Sequence, residues 1–226
     1  MILAMSETNP WYDGKGVESW HKETIGKKTV EALIKNDFNA CYLPTAEEAV
    51  KYIMASVEPG MIVGFPGSMT IYQMGLQDQV KAAGAKVLDH GAPGLTLEER
   101  VKIARQEMLS DLYLCSSNAI TLDGALINVD AWGNRVGAMA FGPKKVILVV
   151  SVDKVCKDEA AAFERLKMMA APMNNQRLAT QNPCMKTGAC INCQVKNRIC
   201  RAYSILRKKP MVSDITVIVL GEQLGF

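Results

Sequence analysis

Short apolar segments alternate with longer amphipathic segments along most of the chain. The apolar segments are rich in β-branched residues and show little alternation of polar and apolar positions, which is typical of strands buried on both faces. Thr45, with Glu48 three residues later, has the capping-box pattern that opens a helix. The pattern predicts helices at 21–35, 46–57, 76–83, 96–109 and 158–169, and strands at 38–43, 61–65, 85–90, 112–115, 119–121, 125–129, 146–150 and 215–220.

This alternation predicts an α/β fold with a mainly parallel or mixed sheet flanked by helices. With 226 residues, 49% of them hydrophobic, the chain is long enough to bury the core of one domain. Residues 1–20 lack strong periodicity and are predicted to be an N-terminal extension. Residues 21–226 then form the single domain, which includes a cysteine-rich metal-binding loop at 183–201. The hairpin inserted at 119–129 predicts a mixed or bent sheet at one end.

Composition and charge argue against several classes of protein. A net charge of +3 is too small to indicate a polyanion partner by itself. The sequence has no N-terminal signal pattern and no apolar run approaching the roughly 18 residues of a membrane span. The seven cysteines therefore favour the reducing cytosol, and their clustering favours metal ligands over disulfides. We expect a cytoplasmic protein with no membrane partner.

Residues 116–145 carry many of the polar and turn-forming residues on which function could depend. Asp130 is the best candidate for a general base, because burial can raise the pKa of a carboxylate into the working range. Arg135 could hold a carboxylate or phosphate through its guanidinium fork, and Lys144 could assist it. Asp130 and Arg135 are the predicted catalytic residues. The same stretch could instead be an ordinary hairpin, helix cap and turn.

Two further features point to an anion site at the ends of predicted strands. Gly67 lets the backbone approach a ligand closely, and Ser68 and Thr70 offer hydroxyl groups, although a Gly-Ser pair is also a common helix cap. His90 follows an apolar strand and could face the same cleft, or it could be a satisfied strand-end residue. The predicted ligand-binding residues are Gly67, Ser68, Met69, Thr70, His90, Asn118, Thr121, Asp123, Gly124, Asn128, Gly133, Asn134, Gly142 and Lys144.

Four cysteines follow the spacing Cys184-x5-Cys190-x2-Cys193-x6-Cys200. A Cys-x2-Cys pair can place two sulfurs on one metal, and the outer two can complete a tetrahedral set. The predicted cofactor is an iron–sulfur cluster, with zinc as the alternative, because both take soft thiolate ligands. The thiols could instead be buried and reduced, or form one adventitious disulfide.

The segment 165–213 around these cysteines is strongly basic. It contains ten Lys or Arg and no Asp or Glu. Such surroundings would offset the negative charge of four thiolates. They could also form a nucleic-acid surface, but only Tyr203 supplies an aromatic ring for stacking on bases, so nucleic acid is not an expected partner.

The run N-A-I-T-x-D-G-x-L-x-N-x-D-x-x-G-N-R-V-x-x-x-x-F-G-P-K-K-V, which begins at Asn118, resembles the signature of the lactate-utilisation (LUD) domain family. The similarity continues at 67–70, at 170–172 and through the cysteine cluster. Within the family, the chain most resembles small stand-alone clostridial and archaeal members with a C-terminal four-cysteine cluster. The resemblance implies a fold similar to sugar-phosphate isomerases and CoA-transferases. Family members often carry Glu where this chain has Gln73, which puts in doubt any role that needs a carboxylate there.

Three functional hypotheses of different class follow. The preferred one is a LUD-domain protein that binds a small anionic metabolite in lactate-type redox metabolism and carries the four-cysteine site. Its possible protein partners are an electron-transfer protein and a second copy of the chain. The second is an isomerase- or transferase-like enzyme acting on a phosphorylated or acyl substrate, with a structural zinc. The third is a non-catalytic binding module. The sequence lacks the phosphate-binding and dinucleotide-binding glycine motifs, which argues against a kinase or a standard NAD enzyme.

Overall fold

Two β-sheets and the helices around them organise residues 14–226, the part of the chain that this computed structural model describes. The helices are α1 (Gly14–Lys35), α2 (Ala46–Met54), α3 (Met69–Gln73), α4 (Leu76–Ala82), α5 (Leu97–Glu107), α6 (Asn134–Ala140), α7 (Glu159–Arg165), α8 (Ala171–Arg177) and α9 (Cys184–Thr187). The strands are β1 (Asn39–Leu43), β2 (Ile62–Gly64), β3 (Lys86–Leu88), β4 (Leu112–Cys115), β5 (Ala119–Thr121), β6 (Leu126–Asp130), β7 (Lys145–Ser151), β8 (Val155–Cys156), β9 (Ala202–Leu206) and β10 (Asp214–Leu220).

The main sheet has six strands in the order β1-β10-β7-β4-β2-β3, and every neighbouring pair is parallel. Val146, Leu148 and Val150 of β7 belong to an apolar cluster with α1 and α6. The alternate residues Ile147 and Val149 belong to a second cluster with α2, α3 and α4. Because successive side chains of a strand point to opposite faces, the sheet is buried on both sides. The predicted α/β fold, with a mainly parallel sheet flanked by helices, is confirmed.

The hairpin lies in a second, smaller sheet rather than at an end of the main one. Strands β5 and β6 are antiparallel and pair with β8 and β9, in the order β8-β5-β6-β9. The turn requires glycine at position 124. Gly124 has a φ of +84°, and a Cβ added there would lie 2.9 Å from the α1 backbone. The sequence analysis did not predict β8 and β9. Strand β9 has no clear alternation of buried and exposed residues, so periodicity could not reveal it.

Two predicted helices extend further than expected. The first begins at Gly14, so residues 14–20 belong to α1 rather than to an extension, while residues 1–13 lie outside the described part of the chain. The predicted helix 158–169 is capped by Asp158 as its sequence suggests, but it continues through a π-helical turn at 166–170 into α8. The π turn ends two residues before Pro172, which has no N–H to donate within the helix.

The predicted helix caps are present. Thr96 and Glu99 form a complete capping box at α5, and the Thr45 side chain accepts a hydrogen bond from the backbone N–H of Glu48 at α2. These caps satisfy N–H groups that have no partner within their helices, which explains where the two helices begin. Among the helices of residues 14–226, none combines the length and the apolar character needed to cross a membrane.

Candidate functional site

A cavity of about 590 Å³ lies beyond the carboxyl ends of the parallel strands. The segments that follow β2, β3, β4, β7 and β10 contribute residues 66–70, 89–93, 116–118, 154 and 225–226 to its wall. The β6–α6 connection, helices α3, α5 and α8, and residues 199–200 also contribute to it. Ligands of open α/β sheets usually bind at this edge, because loops from several strands converge there.

Arg135 and Asp130 line this cavity, but their polar atoms are already engaged with the protein. Asp130 Oδ1 accepts from Arg135 Nη2 at 2.7 Å, and Oδ2 accepts from the backbone N–H of Val136 at 2.9 Å. The five acceptors of the Arg135 guanidinium are Ser116 O, Asn118 Oδ1, Asn128 Oδ1, Val129 O and Asp130 Oδ1. Arg135 therefore ties the end of β4 to the end of β6, and its two terminal nitrogens and both carboxylate oxygens of Asp130 already have protein partners.

Lys154 is a positive group of the cavity wall that remains available to a ligand. It is 3% exposed, and its Nζ lies 3.1 Å from Thr70 Oγ1 and 3.3 Å from Ser116 Oγ. Within the described part of the chain, no carboxylate pairs with this ammonium group. Burial, followed by the charges of Arg165 and Arg135, lowers the pKa of Lys154 to about 7. A buried lysine with only hydroxyl partners favours an incoming anion, which would supply the missing negative charge.

A histidine–glutamate pair occupies another wall of the cavity. Glu107 is fully buried at the end of α5, and His90 Nδ1 lies 3.0 and 2.9 Å from its two carboxylate oxygens. The backbone N–H of His90 donates to the same carboxylate at 2.8 Å. His90 Nε2 is therefore the ring nitrogen left for a ligand.

Seven of the fourteen predicted ligand-binding residues line the cavity: Gly67, Ser68, Met69, Thr70, His90, Asn118 and Asn134. Gly67 has a φ of +78°, which makes glycine the favoured residue there, and Ser68 caps α3. Gln73 Oε1 accepts from the backbone N–H of Gly225 at 2.6 Å, so that this side chain holds the segment after β10 against the cavity.

The other seven predicted ligand-binding residues do not line the cavity. They lie in the hairpin turn, behind Arg135, at the start of α6 or before β7. Thr121, Asp123 and Gly124 form the hairpin turn, where Asn36 of α1 donates to the Asp123 carbonyl at 2.8 Å. Asn128 is fully buried behind Arg135, and Gly133 begins α6 with a φ of +80°. Gly142 and Lys144 precede β7, at the opposite end of the sheet, where Lys144 pairs with Asp111 at 2.7 Å.

The four cysteines of the cluster lie near one another in the segment after α8. Cys184 is buried and the other three are partly exposed. Burial, followed by Cys190, raises the pKa of the Cys200 thiol to about 11, and Cys184 and Cys193 act in the same direction. Across residues 14–226, however, no three His, Cys, Asp or Glu side chains adopt an arrangement that could hold a metal ion.

The chemistry of the cysteine cluster fits a soft metal. The backbone N–H of Asn192 donates to Cys190 Sγ at 3.3 Å, and Arg198 donates to the carbonyls of Cys193 and Cys200 at 2.8 and 2.9 Å. The Arg198 cation acts against the increase in the pKa of Cys200, and a nearby cation favours the thiolate form that metals bind. Cys200 also lines the cavity, so the cysteine cluster and the candidate ligand site share a wall.

The sequence analysis missed Lys154 and Glu107. Lys154 follows β7, the most apolar strand, and its position after a carboxyl end was the signal that could have identified it. Glu107 lies in the last turn of an amphipathic helix, where an acidic residue is normally solvated. Only the pairing of α5 with the end of β3 shows that it faces His90.

The fold and cavity define an α/β protein whose candidate site lies at the carboxyl edge of a parallel sheet. The model of the LUD domain matches residues 26–220, and the chain belongs to this lactate-utilisation-related family. A comparison with curated proteins gave no match. Among solved structures, a DUF162 family protein from Deinococcus radiodurans is similar, with 15% identity and a TM-score of 0.49, over 88% of this chain and 98% of that chain.

Proposed function

We propose that this protein binds a small anionic metabolite in the cavity at the carboxyl edge of the sheet and serves hydroxy-acid redox metabolism of the lactate type. The observation that carries the proposal is Lys154, a buried ammonium group in the cavity wall whose described polar partners are the hydroxyls of Thr70 and Ser116. A bound carboxylate would neutralise the lysine and accept hydrogen bonds from it.

The charge balance of the cavity supports an anion. Asp130 is neutralised by Arg135, and Glu107 is engaged with His90. Arg165 is buried behind Asn118, with its Nη1 donating to the Asn118 carbonyl at 2.6 Å and its Nε without a described partner. The positive charges of Lys154 and Arg165 thus lack a described carboxylate partner. A ligand that brings one negative charge would offset part of this positive charge.

The four cysteines would hold the metal centre of this function. An iron–sulfur cluster on Cys184, Cys190, Cys193 and Cys200 would supply one-electron transfer, and zinc at the same site would be structural. The proximity of Cys200 to the cavity supports the electron-transfer assignment, because it brings the cluster close to the ligand. An electron-carrier protein is the expected partner on this basic side of the molecule.

We expect lactate and pyruvate to bind the protein, with binding weakening as the pH rises above about 7, because only the protonated lysine attracts the carboxylate. Lys154→Met is expected to lower the affinity about 10- to 100-fold, the typical value of a hydrogen bond to a charged group. Calorimetric titration at pH 6 and pH 9 measures both effects. Lys157→Met, an exposed lysine three residues away, is the matched control. Equal affinity of Lys154→Met and the unaltered protein would contradict the proposal.

The metal assignment predicts a brown protein after anaerobic purification, with iron and sulfide in the isolated chain. Cys193→Ser is expected to lose most of the metal, because it removes one sulfur of the Cys-x2-Cys pair. Cys41→Ser is the matched control, since Cys41 lies in β1 and outside the cluster. Iron, sulfide and zinc analysis of the three proteins measures the outcome. One zinc per chain would favour the structural alternative, and equal metal content in Cys193→Ser would exclude this set of ligands.

A further inference from the structure

The pairing of His90 with Glu107 is a second feature of the cavity that anion binding does not explain. The Glu107 carboxylate is 0% exposed, and the hydrogen bonds to it from the described residues all come from His90. A buried carboxylate is costly, and burial raises its pKa. A histidine needed only for packing would not require such a partner.

The geometry of the pair fixes the imidazole ring. Nδ1 donates its proton to the carboxylate, so the neutral ring presents the unprotonated Nε2 as an acceptor. The Trp132 ring, whose centroid is 5.6 Å from that of His90, limits rotation from the other side. A carboxylate that orients histidine and stabilises its protonated form is the recurring support of a general base.

The surrounding loop holds the backbone of His90 in place. Arg100 donates to the carbonyls of His90 and Ala92 at 2.9 and 3.2 Å. The neighbouring Asp89 accepts from the Tyr72 hydroxyl at 2.9 Å, from Gln77 Nε2 at 3.2 Å and from the Gly91 N–H at 2.7 Å. Asp89 and Arg100, the charged groups that neighbour His90 in this loop, are therefore engaged, and His90 Nε2 is left to exchange a proton with a ligand.

Asn118, another residue of the cavity wall, provides a fixed hydrogen-bond donor. Its Oδ1 accepts from Arg135 Nη2 at 2.8 Å and from the Val129 N–H at 3.0 Å, both of which can only donate. The amide orientation is therefore determined, and Nδ2, which has no partner among residues 14–226, is available in the cavity. Such a donor can stabilise an oxygen on which negative charge develops.

We propose that His90, positioned by Glu107, exchanges a proton with the carbon next to the carbonyl of a 2-oxo carboxylate bound in this cavity. The C–H bond breaks and its electron pair forms a double bond to the carbonyl carbon, the π pair of the carbonyl moves onto its oxygen, which Asn118 Nδ2 can reach as a donor, and the proton bonds to His90 Nε2. In the reverse step, the His90 ring, which has exchanged its proton with the solvent, returns a proton to the same carbon. No oxidant is needed. The inference rests on the proposed function, because Lys154 holds the carboxylate of the same ligand.

The test is the exchange of the pyruvate methyl protons in D₂O, followed by proton NMR with the full chain. The unaltered protein is expected to exceed the rate in buffer alone by at least about 100-fold. His90→Ala is expected to return to the buffer rate and to regain activity with added imidazole. Glu107→Gln is expected to lose about 10- to 100-fold and to shift the pH midpoint of the rate downward, because a neutral amide no longer stabilises the imidazolium. His21→Asn, the exposed second histidine, is the matched control.

Calorimetry with pyruvate on the same samples separates the two proposals. Binding without exchange would overturn the role of His90 and leave the proposed function intact. Absence of binding by both pyruvate and lactate would overturn both. Exchange that is equal in His90→Ala and the unaltered protein would assign the base to another group and overturn the inference.

Discussion

Replacing Arg135 with alanine is expected to lower the free energy of unfolding by about 3–5 kcal/mol, the typical cost of leaving one partner of a buried ion pair alone. The Arg135 side chain is 12% exposed and that of Asp130 is 7% exposed. Removing the guanidinium would leave the carboxylate without its cation and take one donor from each of four further acceptors. Urea unfolding followed by circular dichroism measures the loss.

Two further variants show whether burial is the cause. Arg207→Ala removes an arginine that pairs with a carboxylate on the exposed surface, through contacts to Glu159 at 2.5 and 2.9 Å. It is expected to change stability little, because surface pairs contribute little. The double change Arg135→Met with Asp130→Leu is expected to be less destabilising than Arg135→Ala, since no charge is then left unpaired. Similar losses for Arg135→Ala and Arg207→Ala would refute the structural role assigned to Arg135.

The main sheet was predictable because its strands carry a strong local signal. Strand β7, for example, is apolar at nearly every position and buried on both faces, so its composition alone indicated a central parallel strand. Strands β8 and β9 carry no such signal. Their place depends on pairing with the hairpin, which is a tertiary interaction and outweighs weak local preference.

The candidate site was predictable only as far as loop position determines it. Gly67–Thr70 and His90 follow predicted strands, and parallel strands bring their carboxyl ends to one edge. Asp130 and Arg135 line the cavity, and their mutual pairing could not be inferred from their spacing in the sequence. Lys144 lies before its strand rather than after it, and this places it at the opposite edge.

The Lys154→Met variant is expected to be more stable than the unaltered protein, by about 2–4 kcal/mol at pH 6. The folded state lowers the pKa of Lys154 to about 7, below the ordinary value of 10.5. Below pH 7 the lysine is charged in both states, and the full cost of burying the charge opposes folding. Between pH 7 and 10.5 the unfolded chain binds more protons than the folded one, so that this cost is gradually lost as the pH rises. Methionine, which has a similar length and no charge, removes the cost at every pH.

Urea unfolding at pH 6, 7.5 and 9 measures the difference between the variant and the unaltered protein, which is expected to be largest at pH 6 and to shrink toward pH 9. Lys157→Met, with its exposed side chain, is expected to show no such trend. A stability difference that does not change with pH would contradict a buried, uncompensated charge at Lys154.

The buried charge also links stability to ligand binding, because an anion that pairs with Lys154 supplies the missing partner. Saturating lactate at pH 6 is therefore expected to stabilise the unaltered protein and to leave Lys154→Met nearly unchanged.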